Sequence, residues 1–401
     1  MLVNETRLRA KMLEEGLDGI IATTLENVYY LTGVSNVSLH MFPHGGQCYA
    51  IVTPDRLTEP FIVSPTIDTD QFTMDSPLAL RGNTTFGTFY REDAAAGLSL
   101  SDKELELQQR SDLSKAHASP ADALIDALKQ LGLADKKIGI DEVGISPAVM
   151  DAVADQLSAS TVVPAASVFA WARRVKTAEE IKRLTASCRV VEQAIRSVVA
   201  IARSGVTEVE MAREFERSVV SQGAMPKFTL IRINGNAVFG QSKPMRTALK
   251  PGDLIWFDVG CVLDGYWSDI ARNVTIGEPT ERIRKIYDAM LIGEQAAIEQ
   301  ARPGMTGGEL FDLTIEATRA GGMPTYRRHH VGHSIGVEVY EQPLIAPGNT
   351  SVIEEGTVIN IETPYYEYGL GSLHVEDPFV VGADGDNTVL TALTRELIIV
   401  E

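Results

Sequence analysis

Hydrophobic and polar positions divide the chain into two styles. In the first part, short apolar runs alternate with helical periodicity. The spacing predicts a helix over residues 5–15, stopped at Gly16. Apolar runs at residues 19–22, 49–52, 61–64 and 137–141 read as strands. Ser146-Pro147 reads as a helix start, with Ser as cap and Pro at the first helical position. The polar stretch over residues 84–119 reads as loops with a short helix.

Near residues 172–177 the style changes to long helices. Thr177-Ala-Glu-Glu180 is a capping-box pattern, and the helix it opens is predicted to run to about Arg203, with Gly205 beyond it. Thr207-Glu-Val-Glu210 is a second box, ended by Gly223 and followed by strands. The scheme then repeats: a helix over 281–301, the box Thr306-Gly-Gly-Glu309, a helix to Ala320, and strands again. Gly205-Val-Thr-x-x-Glu210 recurs as Gly304-Met-Thr-x-x-Glu309, 99 positions later. This predicts an internal duplication of helix, helix and strands. The chain therefore reads as an α/β domain over 1–172 and a helix-and-strand domain with an internal pseudo-two-fold over 173–401.

A length of 401 residues suffices for two cores. With 54 Asp plus Glu against 36 Lys plus Arg, the formal charge is −18, which repels phosphate backbones and argues against nucleic-acid binding. Cys48, Cys188 and Cys261 are far apart and form no CxxC, so neither a disulfide framework nor a zinc ribbon is written here. The N-terminus turns charged at once, and no apolar run approaches bilayer-spanning length. The expectation is a cytoplasmic protein with no membrane partner.

Candidate chemistry lies in acids placed inside apolar strands. Leu254-Ile-Trp-Phe-Asp258-Val-Gly260 meets a strong hairpin turn at Asp264-Gly265, and Tyr266-Trp-Ser-Asp269-Ile-Ala271 returns. A turn centred there sets residue 258 opposite 271, and Asp269 then shares a face with Asp258. A second hairpin centred on Gly369 sets Glu362 directly opposite Glu376. Like charges facing each other destabilise a sheet, so two such pairs call for a counter-charge. Two divalent cations supply it. Between the pairs lies His329-His330-Val-Gly-His333-Ser-Ile-Gly336, which offers an imidazole on glycine-rich backbone. Four carboxylates and one imidazole suit manganese, cobalt or zinc better than copper. Any single acid of the 54 would ordinarily be a solvated surface group; the joint pattern is what points to a metal site.

Asp258 and Asp269 eleven apart, His333 in His-x-x-x-His-Ser-Ile-Gly-Val-Glu-Val, and Glu362 and Glu376 fourteen apart strongly resemble the pita-bread metallopeptidase family of methionine aminopeptidase, prolidase, aminopeptidase P and creatinase. Gly-Leu-Asp-Gly-Ile-Ile…Asn-Val-Tyr-Tyr-Leu-Thr-Gly33 resembles the creatinase-type N-domain, which favours the prolidase, aminopeptidase P and creatinase branch. The resemblance implies a creatinase-like N-terminal domain and a pita-bread catalytic domain. It implies two divalent ions, manganese first and cobalt or zinc as alternatives, on Asp258, Asp269, His333, Glu362 and Glu376, with a bridging hydroxide as nucleophile. Glu362 would shuttle the proton and His329 would help hold the substrate. A homodimer is implied as well, in which His40, Phe42 and His44 of the loop 35–47 border the partner's pocket, although a plain exposed loop fits the sequence equally.

Two positions depart from the family pattern. Gln241 stands where a histidine usually precedes the first metal Asp by 17 residues, and Tyr340 stands where one follows the metal His by 7. Both still donate hydrogen bonds and are candidate catalytic and substrate contacts, but neither has an imidazole's near-neutral pKa. Ala271 replaces a usual Thr. Tyr365, Tyr366 and Tyr368 either line the pocket or pack on the sheet. The expected function is a narrow Xaa-Pro dipeptidase acting on a small peptide or amide. The alternatives are a hydrolase or lyase of a small osmolyte, an ectoine-type amidine or a sulfonium compound, and a metal-binding pseudo-enzyme.

Overall fold

The structure, a computed structural model, describes residues 2–157 and 160–401. They form two compact units, Met1–Arg173 and Arg174–Glu401.

The first unit opens with α1 (Glu5–Glu14), β1 (Gly19–Ala22), α2 (Leu25–Thr32) and α3 (Val37–Met41). It continues through β2 (Tyr49–Thr53), β3 (Arg56–Pro65), α4 (Thr69–Met74), β4 (Gly82–Phe86) and α5 (Asp102–Arg110). It closes with α6 (Pro120–Gln130), β5 (Lys137–Ile140), α7 (Pro147–Gln156), β6 (Thr161–Pro164) and α8 (Ala166–Arg173). Its six strands form one sheet in the order β4-β3-β2-β1-β5-β6. Ile21, Ile51 and Val63 pack with Leu124, Leu128 and Ile140 in its core. Ser146 caps α7 as its Ser-Pro start predicts. The polar segment 84–119 contains more order than its composition suggests. Thr84-Thr85-Phe86 extend the sheet by pairing β4 parallel to β3, because β-branched and aromatic residues fit a pleated edge. The expected short helix is α5, opened by a capping box between Ser101 and Glu104.

The second unit opens with two helices, α9 (Ala178–Ile201) and α10 (Glu208–Ser221). The strands β7 (Met225–Ile233), β8 (Leu254–Leu263), β9 (Tyr266–Trp267) and β10 (Ile270–Ile276) follow. Another helix pair, α11 (Glu281–Gln300) and α12 (Gly307–Ala320), precedes β11 (Gly332–Ser334), β12 (Glu341–Leu344) and β13 (Val358–Glu362). Last come β14 (Tyr365–Glu367), β15 (Gly371–Leu373), β16 (Glu376–Val380), β17 (Thr388–Val389) and β18 (Ile398–Val400). The main sheet runs β12-β11-β13-β16-β10-β8-β7. Its middle is the junction of β16 with β10, and each side of that junction carries one hairpin and one helix pair.

The duplication is visible in the backbone. Thr207 and Thr306 each close a capping box at the start of the second helix of a pair. Gly205 and Gly304 both have φ of 95°. Gly205 N donates to Leu249 O and Gly304 N to Ile353 O, each at 2.9 Å. Thr207 bridges to Ala248 and Thr306 to Val352 in the same antiparallel way. Only glycine adopts that backbone cheaply, which explains why the repeated motif begins with it. No helix is long and apolar enough to cross a membrane among the described residues.

Candidate metal centre

Strand register builds the site. Asp258 of β8 pairs with Ala271 of β10, as a turn at Asp264-Gly265 requires. Ala271 pairs in turn with Glu376 of β16, and Glu376 with Glu362 of β13. Directly paired residues share a face, so Asp258, Ala271, Glu376 and Glu362 form one row across four strands. The small Ala271 separates the acids of the two hairpins. Asp269, two residues before Ala271, follows on that face. His333 of β11 pairs with Asn360, two residues before Glu362, and so joins it too. Gly332 lets β11 approach this closely: a Cβ there would sit 2.3 Å from Asn360 O.

Side-chain contacts sort the donors from the candidate ligands. His333 Nδ1 lies 3.0 Å from Ser334 O, which leaves Nε2 with its lone pair 3.7 Å from Asp269 Oδ2. Burial pushes the His333 imidazole pKa down, which favours the neutral, metal-ligating form. Asn360 Nδ2 donates to Glu376 Oε1 at 2.6 Å. His330 Nδ1 lies 3.0 Å from Glu362 Oε1, and His374 Nε2 lies 3.3 Å from both Glu362 Oε2 and Glu376 Oε2.

The electrostatics are those of a site built for cations. Burial first, then the attraction of His374 acting against it and the repulsion of Glu362, leave Asp258 raised to about 6. Burial and the neighbouring acids push Asp269 and Glu376 well above the usual carboxylate range. Glu362 goes the other way. Burial would raise it, but the contacts from His330 and His374 outweigh that and hold it low. Asp269 Oδ1 is buried with no hydrogen-bond partner. An orphaned carboxylate oxygen amid three further acids is costly unless a cation meets it. The ligand atoms of Asp269, His333 and Glu376 lie within 4.8 Å of one another, as do those of Glu362, His374 and Glu376. The residues therefore fit divalent ions, with Glu376 common to both groups and Asp258 placed beside them by register.

The other expected site residues fare unequally. Tyr340 stacks on His333, ring centroids 3.7 Å apart, with 53 % of its surface exposed. His329 is exposed and meets His330 edge-on at 4.3 Å; it is His330, not His329, that reaches Glu362. Gln241 is exposed and follows Gly240, which packs against Trp256. His40, at the end of α3, lies 3.0 Å from Ser35 Oγ, and both it and His44 are exposed on the first unit. Tyr366 packs edge-on to Trp256 at 5.8 Å, while Tyr368 is exposed. Sequence reasoning passed over His330 and His374. Strand alternation could have found His374, which is two residues before Glu376 and so shares its face.

Comparison with known proteins gives two family matches. The model of metallopeptidase family M24 matches residues 182–383, and that of the creatinase/prolidase N-terminal domain matches residues 6–69. An uncharacterized peptidase of Bacillus subtilis (strain 168) is 26% identical over 98% of this chain and 99% of its own. A Xaa-Pro dipeptidase of Lactobacillus helveticus is 35% identical over 54% of this chain and 60% of its own length. Among solved structures, the X-Pro aminopeptidase from Thermotoga maritima MSB8 shares the fold with a TM-score of 0.77 at 22% identity, over 98% of this chain and all of that one. The prolidase from Pyrococcus horikoshii OT3 does so with 0.74 at 22% identity, over 98% and 99%.

Proposed function

We propose a substrate and a cofactor for this chain, which belongs to metallopeptidase family M24 and is a metallohydrolase: Xaa-Pro dipeptides, cleaved with two divalent ions, manganese first. The observation that carries the reading is the row of Asp258, Glu376 and Glu362 across four strands, with Asp269 and His333 on the same face. These five residues would hold the ions. When bound, such ions lower the pKa of water and polarise a carbonyl.

The chain's own groups have separate tasks. Glu362 is kept ionised by His330 and His374, and it would be the group that takes the proton and passes it to the leaving nitrogen. Tyr340 covers one face of His333 and excludes water from it. A cavity of about 460 Å³ is lined by Tyr326, Arg328, Pro364 and Tyr366 among others, with Pro364 two residues after Glu362. The Arg328 guanidinium sits 5.3 Å over the Tyr366 ring, and its Nε is buried without a partner. In a chain of net charge −18, no carboxylate pairs with Arg328 among the described residues. A dipeptide's terminal carboxylate is the anion that a small cavity there would take. The reading also includes a homodimer in the cytoplasm, in keeping with three buried free cysteines.

The test is Mn²⁺-loaded enzyme with Xaa-Pro dipeptides and with their C-terminal amides. Chelator-sensitive release of proline, with the amides poor, is expected. Arg328→Gln should raise KM for the dipeptide by roughly tenfold to a hundredfold, the loss of a charge-assisted hydrogen bond of about 1.5–3 kcal/mol. No dipeptide cleavage, together with turnover of a small osmolyte, would sink the dipeptidase reading.

A further inference from the structure

Trp256 has no part in the roles above and His374 enters them only as a neighbour of Glu362 and Glu376, yet both are buried at the centre. Trp256 lies two residues before Asp258 on β8, and His374 two residues before Glu376, so both point to the face that carries the acids. Trp256 Nε1–H donates to His374 Nδ1 at 3.3 Å. A ring nitrogen that accepts a hydrogen bond carries no proton, so the imidazole proton sits on Nε2. Nε2 is the atom 3.3 Å from Glu362 Oε2 and from Glu376 Oε2, set between the two and aligned for a hydrogen bond with neither.

We infer that Trp256 fixes the His374 proton on Nε2, facing the Glu362 and Glu376 carboxylates, and so bars His374 from becoming a sixth metal ligand. Distance alone would group His374 with those two acids as a ligand set. Ligation through Nε2, however, needs the proton on Nδ1, and that proton would then face the indole N–H head to head. The backbone is pinned to match: His374 N donates to Asn273 Oδ1 at 2.6 Å, and Asn273 Nδ2 donates to Ser372 O at 2.9 Å. Each glutamate thus has a separate neighbour for each oxygen, with Asn360 the one that makes a hydrogen bond. Glu376 meets Asn360 with Oε1 and His374 with Oε2. Glu362 meets His330 with Oε1 and His374 with Oε2. His374 is a positioning residue whose Nε2–H faces two carboxylates at once, the outer-shell place from which a metal's ligands are oriented.

The inference rests on the metal reading above, so the test separates the two. In ¹⁵N-histidine-labelled protein, the His374 signals are assigned by their loss in His374→Gln. A protonated Nε2 and an unprotonated Nδ1 are expected, both without metal and after Zn²⁺ loading. An Nε2 that loses its proton and takes on a coordination shift on loading would overturn the proposal. Trp256→Phe keeps the ring and removes only the N–H, and should give mixed tautomers; an unchanged tautomer would also overturn it. With Co²⁺, His374→Ala should weaken binding about 10–100-fold. His374→Gln, whose amide can donate from the Nε2 position, should recover most of that loss. The saturated d–d spectrum should be the same in wild type and both variants; a changed spectrum would mark His374 as a ligand. Failure of the wild type to bind any ion would remove the metal reading, while the metal-free tautomer would still decide the part played by Trp256.

Discussion

The two halves of the second unit share a scaffold and divide the chemistry unequally. Each has a helix pair, a capping box after a glycine of φ 95°, and a hairpin bearing two acids. The first half contributes Asp258 and Asp269 from a hairpin with the tight Asp264-Gly265 turn. The second contributes Glu362 and Glu376, and all three buried or half-buried imidazoles, His330, His333 and His374. Both halves supply positions to the row, and the second half carries the imidazoles that tune it. Glutamate's longer stem also changes reach: Glu376 takes part in both potential ligand groups, Asp269 in one.

Substituting single acids breaks this comparison most sharply. Glu376→Gln should cost both ions, whereas Asp269→Asn should cost one, by elemental analysis after dialysis. Each should lower kcat/KM by roughly 10³-fold, since an ion's stabilisation amounts to several kcal/mol and each 1.36 kcal/mol is tenfold. Equal ion losses in the two variants would mean that the halves contribute equally.

Metal removal is the next effect in size, and it depends on pH. Asp258 is raised from its ordinary 3.8 to about 6, and Asp269 and Glu376 are raised too. A carboxylate raised on folding contributes stability below its unfolded pKa and loses it as pH climbs through the folded value. Glu362, held low, is already ionised between pH 5 and 7 and adds no slope there. Metal-free protein should therefore lose stability from this cluster between about pH 4 and 6, and bound ions should restore it. The rise in Tm on adding Mn²⁺ should be larger at pH 7 than at pH 5 by scanning calorimetry. An equal rise would show that the acids are not strained without ions.

Replacing the loop histidines has a smaller effect. His330→Ala should lower kcat by about tenfold to a hundredfold, as expected when a contact that holds a catalytic carboxylate is lost. His329→Ala should act mainly on KM. The reverse order would give His329, which the family resemblance places on the substrate, the larger part in the chemical step.

Legibility followed the same divide. The registers of both hairpins were readable, because turns centred on Asp264-Gly265 and on Gly369 set Asp258 opposite Ala271 and Glu362 opposite Glu376, as the strands pair. The helix pairs were readable from their boxes. β4 was hidden in a polar stretch, since an edge strand needs only a few β-branched residues. His330 and Arg328 were hidden because they lie on a segment without regular periodicity, where spacing does not say which side chain turns inward. Tyr340 showed as a departure, but its stacking on His333 depends on a chain path that no local pattern reveals.

The smallest expected effect tests the duplication itself. Gly205 and Gly304 share φ, hydrogen bond and surroundings, and a Cβ at either meets nothing within 4 Å. Sterics with the surroundings are thus removed from the comparison, leaving only the backbone's cost of holding an L-residue at positive φ, about 1–2 kcal/mol. For a unit of this size that lowers Tm by roughly 2–4 °C per kcal/mol. Gly205→Ala and Gly304→Ala should therefore shift Tm of the second unit equally, and the double variant should show the sum, because the sites share no partner. A shift confined to one of them would mean that the two junctions, alike in geometry, carry unlike loads, and that the second half has diverged in its scaffold as well as in its chemistry.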